Sequence, residues 1–367
     1  VTTKKNQRRE EATAIPQVET KTWQALAKEA DAFAKLEPWN WMWDDQILGL
    51  RDPKSGEKLL CCVLGALQAV RGLLVFKNQA GHLFLLSTFF EDDPIQCLTD
   101  RNRGLDRDAL QVEFVGKANL TNVDRRLFSS IGFSPSKKRG GHWPLFRSTL
   151  PGCYPWYLTQ TEAETLLYVL PYARAFSIYL RELANPDIGV VESGVAFLVD
   201  DYDTTKRPMN AADLKWEIML PPPVMPAEPI VIDESTLESL RQLPQEAECE
   251  LELDVSYLAL PCAAPDRPFF PHAALAVLRN STIVCGYACT DRTDRQGKNA
   301  LSSAFVSALK MLGCRPAAIY VQHQRVAEAL CSTADELDIT IFIDPQLELL
   351  NSIREMFERG LSVLGRT

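Results

Sequence analysis

Residues 220–235 read LPPPVMPAEPIVIDES, and their five prolines constrain the fold more than any other stretch of the chain. Each proline fixes φ and removes a backbone donor, so neither a helix nor a central strand can pass through. A semi-rigid extended connector over 221–236 follows. It divides a chain of 367 residues into two pieces, each long enough to bury its own core. The expected organisation is a flexible tail over 1–20, an α+β domain over 21–220, the proline-rich linker 221–236, and an α/β domain over 237–367. Just beyond the prolines, Ser235 and Glu238 stand three apart, the spacing of a capping box, and predict a short helix.

Upstream of the linker, helices and strands are mixed. Trp23, Leu26, Ala30 and Phe33 recur at helical spacing, and that helix should stop before Pro38. Apolar segments follow at 59–65, 68–76 and 82–90, with Asn78 and Gly81 between the last two suggesting a hairpin. LQVEFVGK reads as a strand and TNVDRRLFSSIG as a helix ending at Gly132. Thr161 and Glu164 would cap a long helix running to about Leu183, with Pro171 inside it. GVAFLVDD and LKWEIML look like closing strands.

Downstream the rhythm is sharper. ELELDVSYLAL, HAALAVLRN and STIVCGYACTD are three consecutive strand-like runs. After them come the helix GKNALSSAFVSALKMLG, the strand RPAAIYVQ, the helix RVAEALCSTADELD, the strand ITIFID and the helix LELLNSIREMFERG. A three-strand meander followed by αβαβα is the element order of the ribonuclease H-like fold. Right-handed crossovers would set the two later strands parallel to the first.

The passages GHWPLFRSTLPGCYPWYLTQTEAETL and GCRPAAIYVQHQRVAEALCSTADELDITI resemble a family of bacterial two-domain proteins of unknown function. The resemblance runs from about residue 22 onward. It implies the same domain division and a bacterial cytoplasmic setting, and it carries no catalytic residue or cofactor.

Composition narrows the function. The charged share of 24% and hydrophobic share of 46% are those of globular chains. A net charge of −9 disfavours general coating of nucleic acid or anionic membrane. No apolar run approaches the roughly 20 residues that span a bilayer. The ten cysteines form no C-x-x-C pair and mostly sit in apolar runs, which suits reduced thiols in a cytoplasmic protein.

An active ribonuclease H-like nuclease needs several carboxylates around magnesium or manganese. Asp254 on the first strand of the meander is well placed, and Glu348 or Glu355 would come from the final helix. At the end of the fourth strand, however, stand Gln322, His323 and Gln324 where another acid is wanted. Asp254 then reads as a polar residue on a partly wet strand face. The histidines His82, His142, His272 and His323 are isolated and read as turn or packing residues. Asp200–Asp203 reads as a solvated turn and RQGKNAL as a helix start.

Two clusters suggest binding. Lys137, Lys138 and Arg139 precede His142, Trp143 and Arg147, an arrangement of cations beside an aromatic ring that suits a phosphate-bearing ligand. Trp39, Trp41 and Trp43 alternate, so an extended backbone would put three rings on one face, as a lid on the domain core or a docking surface. The leading expectation is a non-catalytic protein acting through protein contacts or self-association, without cofactor. A metal-dependent nuclease or phosphotransfer enzyme, and a nucleotide or nucleic-acid binder using loop 137–147, stand as alternatives.

Overall fold

The computed structural model describes residues 17–65, 70–90, 101–135, 142–182, 194–199, 202–224, 226–294 and 296–364. The basic residues Lys137, Lys138 and Arg139, and the acids Asp200 and Asp201, lie outside them. The chain divides into two units. The first runs to Pro223 and includes Ala263–Pro268, and the second comprises Val224–Cys262 and the residues from Phe269 onward.

The first unit is built on α1 (Thr20–Leu36), β1 (Leu48–Arg51), β2 (Lys58–Leu64), β3 (Gly72–Phe76), α2 (Asn78–Phe90) and α3 (Arg101–Leu105). These are followed by β4 (Ala109–Val115), α4 (Asn122–Ser130), β5 (Trp143–Thr149), α5 (Gln160–Glu182), β6 (Gly194–Leu198) and β7 (Leu214–Ile218). Its seven strands lie in the order β5-β4-β3-β2-β1-β6-β7. All neighbours are antiparallel except β1 and β6. The run LLCCVL is apolar throughout because both faces of β2 are covered. Leu59, Cys61 and Val63 join the core that includes α1 and α5, whereas Leu60 and Cys62 join the one that includes Leu85 and Leu86 of α2.

Three expectations for this unit are corrected. Residues 78–90 form a helix and not the second arm of a hairpin. Asn78 takes φ 58° and turns the chain straight into α2, and a Cβ on Gly81 would stand 2.2 Å from the Asp108 carbonyl oxygen. That close approach is what the glycine serves. The cap of α5 lies two residues earlier than Thr161: the Glu162 N–H donates to Thr159 Oγ1, and the Thr159 N–H donates to Glu162 Oε2. The tryptophans do not share a face, because Pro38–Asn40 is a 3-10 turn.

The second unit begins with α6 (Glu234–Arg241), capped by Asp233 rather than Ser235, since Asp233 Oδ1 accepts the Thr236 N–H. Then come β8 (Gln245–Tyr257), β9 (His272–Leu278), β10 (Val284–Cys289), α7 (Lys298–Leu312), β11 (Arg315–Val321), α8 (Gln324–Glu336), β12 (Thr340–Ile343) and α9 (Glu348–Leu364). This is the expected three-strand meander followed by αβαβα. The sheet order is β10-β9-β8-β11-β12, with β9 and β10 antiparallel to their neighbours and β11 and β12 parallel to β8. Gly313, at φ +67°, ends α7 where predicted. Leu251, Leu253 and Val255 of β8 pack among residues of α7 and α8, while Leu275 and Val277 of β9 pack against Leu350 and Ile353 of α9. Ile230, inside the proline-rich stretch, is buried in the former core, and its N–H donates to the Ala329 carbonyl.

Candidate functional site

Alternation along β8 puts its leucines on the face covered by α7 and α8, and its acids, Glu252 and Asp254, on the face covered by α9. Burial on both sides decides what those acids can do. Asp254 is 0% exposed, which corrects the wet-face expectation. A lone carboxylate there would cost several kcal/mol, so it must be met by cations or donors.

Two side chains meet it. His323, two residues beyond the end of β11, places Nδ1 at 3.3 Å from Oδ1 and 3.1 Å from Oδ2 of Asp254. Arg354, two turns into α9, brings Nη2 to 3.4 Å from Oδ2. Because a carboxylate only accepts, His323 carries its proton on Nδ1 in this arrangement. Glu252 is spoken for as well: buried, it accepts the Leu350 N–H at 2.9 Å in the first turn of α9. A carboxylate at a helix start meets both an orphan donor and the positive end of the dipole.

The acids expected to join Asp254 are elsewhere. Glu348 is exposed in the first turn of α9, and Glu355 is exposed and accepts from Arg359 at 2.8 Å. Gln322 Nε2 donates to the Pro345 carbonyl and Gln324 Nε2 to Glu328. Among the described residues, no three His, Cys, Asp or Glu side chains gather in a metal-holding group. The Asp254 carboxylate thus has as neighbours a guanidinium at 3.4 Å and an imidazole at 3.1 Å, a cation and a nitrogen donor rather than the set of hard oxygen ligands that magnesium or manganese takes.

Sequence reasoning missed Arg354. A signal was present: Leu347, Leu350 and Arg354 fall at i, i+3 and i+7, which puts one cation on the apolar stripe of the last helix. A charge in that position must be answered by a buried partner from the sheet.

A buried histidine lies on the opposite face. His272, at 2% exposure, stacks on Tyr257 with centroids 4.0 Å apart. Its Nδ1–H donates to the Asp294 carbonyl at 2.9 Å, and Nε2 is buried without a partner. Burial first, then the charge of Arg325, lowers its pKa to about 4. The Asp294 side chain caps α7 by accepting the N–H groups of Asn299 and Ala300, so the RQGKNAL helix start is satisfied from within. Lys298 is paired with Glu228.

In the first unit, Arg147 is held by Asp124 at 3.0 and 2.7 Å and lies 4.5 Å over the Tyr157 ring. Asp124 also closes the capping box of α4 with Thr121. Trp143 packs against Phe128 and Phe133. His142 Nε2 lies 3.4 Å from Arg71 Nη1. Arg147 and Trp143 thus serve the fold of β5 and α4, not an open platform. Trp39 is buried against Phe114, and the Trp41 Nε1–H donates to the Ser177 carbonyl, so both cover the core. Trp43 is 54% exposed.

Residues 23–199 match the family model of a domain of unknown function (DUF7309), and residues 236–358 match that of a second (DUF6930). Neither a curated protein nor a solved structure matches the chain. No helix among the described residues is long and apolar enough to cross a membrane. With the fold in two units and a family model matched in each, this is a two-domain protein whose domains match two models of domains of unknown function.

Proposed function

We propose that the chain is a non-catalytic cytoplasmic protein that works through protein contacts, and that its second unit is a ribonuclease H-like scaffold without metal chemistry. The observation that carries this reading is the environment of Asp254. In a two-metal nuclease the carboxylate on the first strand faces cations supplied by solution and is flanked by further acids. Here Asp254 is fully buried and faces His323 and Arg354 of its own chain. The protein's own guanidinium thus supplies the positive charge that a metal would otherwise bring. The cytoplasmic setting is supported by the thiols: the nine described cysteines are free, and burial pushes Cys61 and Cys62 far above the usual thiol range.

The test is a cleavage assay on single- and double-stranded RNA and DNA with magnesium and with manganese. No cleavage above background is expected. Cleavage that disappears in Asp254→Asn would replace the scaffold reading with the nuclease one.

A further inference from the structure

The two sheets have four edges, and three are blunted in the ways natural proteins use against unwanted pairing. β5 contains Pro144, β10 carries a bulge between Val284 and Gly286, and β7 contains Lys215 and runs on to Pro221, Pro222 and Pro223. β12 differs. Its sequence, TIFI, has no proline, charge or glycine, and among the described residues it pairs on one side only, with β11. Phe342 and Ile343 are 47% and 46% exposed.

The hydrogen-bond parity of this edge is fixed. The Asp344 N–H donates to the Val321 carbonyl at 2.9 Å. Alternation therefore turns the backbone polar groups of Thr340 and Phe342 toward β11 and those of Ile341 and Ile343 toward the open side. An incoming strand would find donors and acceptors at two positions and an aromatic platform beside them, where Phe342 stacks on Tyr320 with centroids 5.2 Å apart.

Charge selects the occupant. From Val326 to Ile353 the chain has no lysine or arginine, and its acids include Glu328, Asp335 and Glu348 beside Glu336, which pairs with Arg241, and Asp338, which pairs with Arg315. The nearby cations are already committed: Arg279 lies against Glu250 and Asp344, and Arg315 against Asp338.

We infer that β12 is a docking edge for an extended, lysine- or arginine-rich segment of a partner protein, added to the sheet as a sixth strand. The inference rests on the reading of this chain as one that works through protein contacts. Backbone bonds to Ile341 and Ile343 hold the segment, alternate apolar side chains lie along Phe342, and cations face the acidic rim. An edge of this length with exposed charge favours a weak, salt-sensitive complex.

The experiment is fluorescence anisotropy with the full chain and a labelled peptide of about eight residues alternating valine and lysine, beside a glutamate-for-lysine counterpart. The lysine probe should bind and the glutamate probe should not. Ile343→Pro, which removes an outward N–H but no ladder bond, should weaken binding about tenfold. Asp335→Lys, at an exposed position shortly before β12, should weaken it independently of any effect on the strand. Equal binding of both probes, absence of binding, or indifference to both variants would overturn the docking edge. So would a concentration-dependent dimer abolished by Ile343→Pro, which would make a second copy the occupant. None of these outcomes bears on Asp254, whereas metal-dependent cleavage would remove the scaffold reading and leave the peptide titration standing.

Discussion

Arg354 Nη2 lies 3.4 Å from Oδ2 of Asp254, so the last helix and the first strand of the second unit are tied through a carboxylate with no exposed surface. The tie has an energetic consequence. Removing one member of a buried ionic contact leaves the other uncompensated, at about 3–5 kcal/mol for a fully buried pair. Arg354 and His323 keep 14% and 24% exposure, which lowers the figure. Asp254→Ala is expected to destabilise the second unit by about 2–3 kcal/mol in urea unfolding. A stability gain would mean that Asp254 is repelled by other acids.

Glu252 provides a separate measure of how α9 is held. Its carboxylate meets the Leu350 N–H in the first helical turn. Glu252→Ala should cost about 1–2 kcal/mol and speed amide exchange in the first turns of α9 more than in α7. Uniform loss of protection across both helices would show a general weakening of the sheet instead.

His272 should make stability depend on pH. It is neutral when folded, with a pKa lowered from 6.5 to about 4, while the unfolded chain holds the proton more tightly. Between pH 6.5 and about 4 the unfolded state therefore binds more protons, and stability falls as pH falls. Above that window the contribution is complete, and at its lower end about 2–3 kcal/mol has been lost. His272→Gln should flatten the slope of unfolding free energy between pH 7 and 4.5, measured against the unmodified chain. An unchanged slope would place the titration on other groups.

Arg147 separates a structural cation from a binding one. Its contacts with Asp124 predict that Arg147→Met costs about 1–3 kcal/mol of stability in the first unit. Phosphate or oligonucleotide protecting the unmodified chain against unfolding, and failing to protect the variant, would return Arg147 to a ligand site.

The second unit was legible because its apolar runs and helical patterns are separated by turn residues. Residues 78–90 went astray for a physical reason. NQAGHLFLLSTFF is apolar almost throughout, so helix and strand patterns cannot be told apart, and the close packing of Gly81 on Asp108 decides the outcome. The caps fall at Asp233 and Thr159, two residues before Ser235 and Thr161, because Asp233 competes with Ser235 and Thr159 with Thr161 for the first turn. The site was half legible. The position of Asp254 and the missing acid at 322–324 follow from the sequence, whereas the burial of Asp254 depends on α9 crossing that face, a tertiary fact that strand alternation cannot supply.

The most direct measurement is calorimetric titration of manganese into the full chain near neutral pH, repeated with Asp254→Asn. Because Arg354 and His323 already satisfy the carboxylate, no saturable heat is expected from either protein. A saturable isotherm for the unmodified chain that vanishes in Asp254→Asn would contradict the account.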